Sequence, residues 1–115
     1  MREPASIDEI KLIVQPEHVD AWIAINPVIF YKDKQPYGLI AEVDGYIAST
    51  TKRPEQLFTI GMLKYVYEIN KTKDITVITD LPEYFSQVKR GLEPFGFECS
   101  IEGDIMYSRR KCEFT

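Results

Sequence analysis

Side chains capable of covalent or metal chemistry are few in this 115-residue chain. Cys99 and Cys112 are its two cysteines, and His18 is its one histidine. The cysteine spacing fits no zinc pattern, and two thiols in an intracellular protein are usually free. A histidine-dependent nucleophile would have to use His18, which has no carboxylate at a suggestive spacing. We therefore predict no metal site and no Ser–His or Cys–His pair.

Known phosphate-binding motifs and catalytic carboxylate pairs are also missing. The sequence contains neither Gly-x-Gly-x-x-Gly nor Gly-x-x-x-x-Gly-Lys-Ser/Thr. Asp8, Glu9, Glu17 and Asp20 stand in the first turns of predicted helices, where the helix dipole favours negative charge. We interpret these carboxylates as helix-stabilising.

The overall charge and hydropathy exclude several classes of partner. Eighteen acidic and fourteen basic residues give a formal charge of −4, which argues against nucleic acid as a partner. No apolar run is long enough to span a membrane, and the N-terminus has no hydrophobic signal core. The sequence predicts one domain over residues 1–115, no membrane partner and a cytoplasmic location.

The N-terminal third predicts a strand and two helices. Residues 2–5 predict a short strand, and Ser6 with Glu9 forms a capping-box pattern that opens a helix. Pro16 fits the first turn of a second helix that runs to about Ile25.

The middle of the chain predicts a three-stranded meander, because apolar residues change to strand spacing after Asn26-Pro27. Asp44-Gly45 is a two-residue hairpin signal, since both positions of a type I′ turn need positive φ. The predicted strands are Val28–Tyr31, Tyr37–Val43 and Tyr46–Thr51.

The remainder predicts two helices that alternate with strands. A helix from Pro54 to about Asn70 precedes a buried strand, Ile75–Thr79. A second helix begins after Asp80 and ends at Pro94. A final hairpin pairs 97–101 with 105–109. The order β-α-α-β-β-β-α-β-α-β-β predicts an α/β (α+β) fold with a mixed sheet and helices on both faces.

This order and four short segments resemble the GNAT superfamily of acetyltransferases. Residues 2–10 look like the family's first strand and capped helix, and 42–48 look like its acidic-glycine hairpin. Leu92-Glu-Pro-Phe-Gly-Phe-Glu98 looks like the end of its last helix and the Gly-Phe of its sixth strand. Residues 103–107 look like its last hairpin. The resemblance covers essentially the whole chain and implies a GNAT-like sheet.

The resemblance also implies a phosphate-binding loop, Gln/Arg-x-x-Gly-x-Gly/Ala, whose glycines let N–H groups approach the acetyl-CoA pyrophosphate. The corresponding stretch here is 53–58, Arg-Pro-Glu-Gln-Leu-Phe. Arg53 matches the first position, but Gln56 and Phe58 stand where small residues belong. Shifting the register by one residue does not recover a glycine, so the family's phosphate loop is absent as a sequence motif.

Two further family devices concern acid–base chemistry. A tyrosine four residues before the Gly-Phe glycine often protonates the coenzyme A thiolate, and that position is Leu92. Tyr84, on the same helix two turns earlier, is a weak candidate for this acid. Glu42, at the shoulder of the hairpin, is a weak candidate for the base that the family often carries on its meander.

These losses lead to our first functional hypothesis, a catalytically degenerate GNAT-fold protein that acts by binding and needs no cofactor. Its size and losses are similar to those of small GNAT-like proteins of tailed bacteriophages, which implies a role in the virion or in the host cytoplasm. The alternative is a divergent, active, acetyl-CoA-dependent N-acetyltransferase. In that case the backbone of Ser49, Thr50 and Thr51 would pair with the pantetheine arm, and Arg53 would contact phosphate.

The aromatic content points to a protein partner or a homo-oligomer. Seven tyrosines and six phenylalanines exceed what one small core needs, and amphipathic rings are typical of interfaces. The tyrosines expected to contribute to such a surface are Tyr31, Tyr37, Tyr46, Tyr65, Tyr67 and Tyr107.

Overall fold

The computed structural model describes residues 3–53 and 58–112. The helices are α1 (Ile7–Lys11), α2 (Val19–Ala24), α3 (Ile60–Asn70) and α4 (Phe85–Leu92). The strands are β1 (Val28–Lys32), β2 (Gln35–Val43), β3 (Tyr46–Thr51), β4 (Ile75–Thr79), β5 (Glu98–Glu102) and β6 (Ile105–Arg110). Short 3₁₀ turns cover Pro16–His18, Pro82–Tyr84 and Glu93–Phe95.

The strands form one six-stranded mixed sheet in the order β1-β2-β3-β4-β6-β5. Only β3 and β4 are parallel neighbours in this order, and the other adjacent pairs are antiparallel. Asp44 and Gly45 have φ of 52° and 87°, which confirms the predicted hairpin between β2 and β3. The predicted fold class is confirmed.

Two hydrophobic clusters pack on the sheet, as the prediction of helices on both faces requires. The larger joins residues of α3 and α4, including Met62, Val66 and Leu92, to Ile47 and Val77 of the sheet. The smaller lies around Ile10, Val19, Ile29 and Leu39, where α1 and α2 contribute side chains. These clusters hold β3 and β4 under α3 and α4, which is the arrangement on which the candidate site depends.

The first predicted strand is wrong over the residues that can be described. Residues 3–5 are not strand, and Met1 and Arg2 lie outside the described part. Ala5 donates one backbone hydrogen bond, of 2.7 Å, to the carbonyl of Pro27 just before β1. Pro4 has no N–H to donate to a neighbouring strand. The Ser6–Glu9 capping box starts α1 directly after Ala5, so no further strand pairing forms here.

The long helix starts later than predicted. Residues 54–57 lie outside the described part, but Phe58 has a φ of 59° and Thr59 is the N-cap of a helix that begins at Ile60. Phe58 is buried in the larger cluster, and its packing fixes the entry of the chain into α3.

The predicted tyrosine surface is correct only in part. Tyr31 and Tyr46 are about half exposed. Tyr37 is buried in the larger cluster, where its ring lies 6.5 Å from that of Phe30. The prediction for Tyr37 is wrong because the ladder between β1 and β2 shifts between Phe30 and Tyr31.

Candidate functional site

The two parallel strands separate at their carboxyl ends. Pairing of β3 with β4 stops at Ala48 and Ile78, after three register pairs. Each strand nevertheless continues to pair with its outer neighbour, β3 with β2 as far as Thr51 and β4 with β6 as far as Thr79. The divergence therefore opens a gap between two strands that remain anchored on their outer sides.

This gap is a cleft of about 250 Å³, including space open to solvent, which we call the β3–β4 cleft. Within this volume there is space for about one enclosed water molecule. The cleft is lined by Ser49, Thr50, Thr51, Thr79, Asp80, Leu81 and Tyr84. Three of the four residues predicted to bind acetyl-CoA and one of the two predicted acid–base residues therefore lie together.

The end of β3 is fixed by the hydroxyl of Thr51. This hydroxyl donates to the carbonyl of Tyr37 at 2.6 Å and accepts a 3.1 Å hydrogen bond from the N–H of Arg53. These bonds hold the end of β3 against β2, and within the described residues no strand pairs with Ser49–Thr51 on the β4 side.

Arg53, the fourth predicted binding residue, does not line the β3–β4 cleft. It lies at a second depression with Lys32, Asp33, Gln35, Pro36 and Tyr37, beside the β1–β2 hairpin. Both depressions are at the end of the sheet where β3 finishes.

The N-terminus of α3 also lies at this end. Thr59 is its N-cap, yet the Thr59 hydroxyl hydrogen-bonds the hydroxyl of Tyr37 and makes no capping bond to the helix. The start at Ile60 gives the family's loop pattern another register, with Gln56, Thr59 and Gly61 at its three defined positions. Gln56 lies outside the described residues. In this register Gln56 and Gly61 match the pattern, whereas Thr59 stands where the pattern has glycine.

Glu42 is placed away from the β3–β4 cleft. It pairs with Ile47 near the start of β3, whereas the cleft begins at Ser49. Its carboxylate lies 2.5 Å from Nζ of Lys73. That hydrogen bond and the opposite charge raise the pKa of Lys73. Glu42 thus joins β2 to the segment before β4, and this geometry favours a structural role.

The position expected for the family's tyrosine is not at the cleft. Leu92 is fully buried in the larger cluster, between α4 and the sheet. Tyr84 stands instead in the 3₁₀ turn before α4 and is half-buried at the cleft. Position along α4 alone would exclude Tyr84, but the turn at Pro82 places it next to the end of β4.

Thr79 is the cleft residue that sequence reasoning missed. It is 7% exposed, and its hydroxyl has no hydrogen-bond partner. Leaving such a group unpaired costs about 1–3 kcal/mol. The signal was present in Ile75–Thr79, since strand alternation places Thr79 on the same core-facing side as Ile75 and Val77.

The sheet order and the separated parallel strands define the GNAT fold. No family model matches this chain, and no curated protein matches it. A crystal structure of a candidate acetyltransferase of the GNAT family from Desulfovibrio desulfuricans matches with a TM-score of 0.61 at 12% identity. The alignment covers 96% of each chain. At this identity the match shows the shared fold.

Two classes of site have no support over residues 3–53 and 58–112. No helix there is long and apolar enough to cross a bilayer. No three residues with metal-ligating side chains cluster there.

Proposed function

We propose that this protein binds the pantetheine arm of an acyl-coenzyme A in the β3–β4 cleft. The early end of the β3–β4 pairing carries the proposal. It leaves Ser49–Thr51 without a strand partner on the cleft side, and main-chain N–H and C=O groups require partners. The amides of an extended arm can supply the missing ladder, in the way that a peptide adds a strand to a sheet edge.

The start of α3 supports binding of the phosphates. The first N–H groups of a helix have no partner within the helix, and the dipole favours an anion there. The Thr59 side chain does not cap them, because it is engaged with Tyr37. Gly61 leaves the second helical position without a side chain. Arg53 stays the candidate for a further phosphate contact.

The position of Tyr84 supports acyl transfer as the reaction that follows acyl-CoA binding. The amine nitrogen of an acceptor would attack the thioester carbonyl carbon of the acyl-CoA, form the new carbon–nitrogen bond and lose its proton to water. N–H groups of Ser49–Thr51 would polarise that carbonyl. Tyr84 lines the cleft, and its hydroxyl would donate a proton to the sulfur as the carbon–sulfur bond breaks. In this proposal the protein is a divergent acetyl-CoA-dependent N-acetyltransferase.

The second candidate is the degenerate protein that acts by binding alone. The burial of Leu92 favours it, because the family's usual acid position is committed to the core. The small space within the cleft favours it as well. A bacteriophage or virion association belongs to this candidate and rests on chain size and the pattern of losses.

Calorimetric titration with acetyl-CoA separates the two, with Tyr84→Phe as the matched variant. Micromolar binding by the unsubstituted protein supports the first proposal, and absence of binding contradicts it. Thiol release with a panel of amines then tests transfer. We expect Tyr84→Phe to bind normally but to lose about 100-fold or more in rate, since general acid catalysis contributes roughly 10²–10⁴-fold.

A further inference from the structure

One side of the sheet is open over β3, β4, β6 and β5. Along β4 and most of β6, buried residues alternate with partly or fully exposed ones, so these strands pack against α3 and α4 on one side only. We call their other side the outer face. Its side chains stand in two rows across the strands: Tyr46, Thr76, Arg109 and Glu98 in the first, and Ala48, Ile78, Tyr107 and Ser100 in the second.

The helices on this side of the sheet stop short of the outer face. Leu39 of β2 belongs to the smaller cluster with α1 and α2, and its register partner on β3 is Thr50. Directly paired residues share a side of the sheet, so α1 and α2 stand on the outer side. The sheet residues in the smaller cluster come from β1 and β2. Among the described residues Ile78 and Tyr107 belong to neither cluster, so the outer face is open beyond β2.

The outer face has the side chains of a protein interface. Ile78 and Tyr107 pair with each other at its centre. Tyr46 on one side is 52% exposed, and Glu98 on the other side is exposed as well. Tyrosine is enriched and lysine is depleted at interfaces, and the two rows contain no lysine. Both tyrosines are among those that the sequence predicts at an interaction surface.

The charged side chains of the outer face are available to a partner. Arg109 and Glu98 are register partners, yet Glu98 forms no ion pair within the part of the chain that the structure describes. The Arg109 guanidinium instead lies 4.9 Å from the ring centre of Tyr107 and donates a 3.2 Å hydrogen bond to Ser100.

We propose that the outer face binds the outer face of a second copy of this chain, about a twofold axis that runs parallel to the strands between β4 and β6. This inference does not depend on acyl-CoA binding. Rotation about that axis keeps each row opposite itself and exchanges its two ends. Ile78 then packs on Tyr107 of the second copy, and Tyr46 faces Glu98 of the second copy. Sheets that pack face to face commonly keep their strands aligned within about 30°.

Charge favours this axis over the alternatives. It sets the Glu98 carboxylate opposite the Tyr46 hydroxyl, which can donate to it, and sets Arg109 opposite the hydroxyl of Thr76. An axis along β6 would instead bring Arg109 against Arg109 of the second copy. An axis across the strands at the second row would bring Glu98 against Glu102. Both alternatives oppose like charges, which is unfavourable at an interface.

The size of the outer face predicts a weak dimer. Four strands about 4.8 Å apart, with six residues of about 3.3 Å each, give a patch of roughly 20 by 20 Å. Stable interfaces usually bury about 800 Å² per partner, so this patch belongs to the class of small, transient contacts. We expect a dissociation constant on the order of 100 μM.

The test exchanges charge across the proposed axis. Tyr46→Glu sets a carboxylate opposite Glu98 of the second copy and should weaken dimerisation by about 10-fold or more. Adding Glu98→Lys to Tyr46→Glu sets opposite charges face to face and should restore the dimer. Within one chain the two positions are three strands apart, roughly 14 Å, which exceeds the Debye length of about 8 Å. Restoration would therefore report a contact between copies.

Ile101→Glu is the matched control. Ile101 is 58% exposed on the same edge strand as Glu98, but its register partner Met106 is in the larger cluster, so its side chain lies on the α4 side. We expect this substitution to leave dimerisation unchanged. Sedimentation equilibrium between about 10 μM and 1 mM measures association of all four proteins, and thermal unfolding checks that each is folded.

Three results would overturn the proposal. The first is an unsubstituted protein that stays monomeric up to about 1 mM. The second is a dimer that Tyr46→Glu leaves intact or that Ile101→Glu weakens to the same extent, because the contact would then lie elsewhere. The third is weakening by Tyr46→Glu that Glu98→Lys does not reverse, because the two positions would then not face each other.

Discussion

The buried polar side chains at the two ends of β4 differ in whether they are hydrogen-bonded. Beside its first residue lies Asn70, the fully buried last residue of α3. At its last residue lies Thr79, almost as buried but unpaired. Both side chains belong to the same layer between sheet and helices, so their difference reflects what each end does.

At the Asn70 end, the chain satisfies its own polar groups. Asn70 Nδ2 donates to the carbonyls of Lys73 at 3.0 Å and Arg110 at 3.2 Å. The Arg110 guanidinium hydrogen-bonds Asn70 Oδ1. Asp74 accepts a 2.8 Å bond from the N–H of Cys112. This end is closed by the protein itself.

The comparison teaches how pairing decides whether a buried polar group contributes to the stability of a small domain. A buried amide with both of its functions paired stabilises the fold. A buried hydroxyl that stays unpaired, as that of Thr79 does, costs free energy instead. The next three predictions test this division, beginning with the largest expected effect.

Asn70→Ala should destabilise the protein by about 3 kcal/mol, because it removes the hydrogen bonds of this side chain to the carbonyls of Lys73 and Arg110 and to the Arg110 guanidinium. Urea unfolding followed by circular dichroism measures this change. Lys71→Ala, at the exposed neighbouring position, is the control and should change stability little. A loss of stability below about 1 kcal/mol for Asn70→Ala would contradict the structural role of the Asn70 hydrogen bonds.

Gly38→Ala should destabilise the scaffold of the cleft by about 1–3 kcal/mol. An added Cβ would lie 3.1 Å from the carbonyl oxygen of Thr50 and 3.2 Å from Cε of the buried Met62. In Gly61→Ala the corresponding atoms are no closer than 3.8 Å, so that helical substitution should stabilise by up to about 1 kcal/mol. Urea unfolding midpoints measure both variants, and we expect a lower midpoint for Gly38→Ala than for Gly61→Ala. Equal midpoints would contradict this prediction.

Glu42→Gln should have the smallest effect and should leave acetyl-CoA affinity and transfer unchanged. Glu42 raises the pKa of Lys73, so the pair stabilises the fold fully below the pKa of an unfolded lysine, about 10.4. That contribution disappears as the pH rises through the higher folded pKa. Urea midpoints of both proteins should therefore differ slightly at neutral pH and converge in alkali. A large loss of acyl-transfer rate in Glu42→Gln would contradict the structural role and would support Glu42 as a catalytic base.

The sequence predicted the fold better than the site, for physical reasons. Alternation, Asp44-Gly45 and the Ser6–Glu9 capping box depend on local chemistry, and the structure confirms each. Ser49–Thr51 and Tyr84 came from the family resemblance, and the structure places them together. Whether they bind ligand stays a prediction.

What the sequence could not provide depends on contacts distant along the chain. The late start of α3 follows from the burial of Phe58 and the bond between Thr59 and Tyr37. The unpaired state of Thr79 follows from where two strands part, and no local pattern encodes that point.

The most direct test of the acyl-CoA site is a titration with acetyl-CoA followed in two-dimensional amide NMR spectra. The account predicts the largest shift changes at Ser49–Thr51 and from Thr79 to Tyr84, with smaller ones at Ile60 and Gly61. Amides around Asn70, at the closed end, should stay in place. Spectra that do not change, or changes centred on Asn70 and Arg110, would contradict the assignment of the β3–β4 cleft.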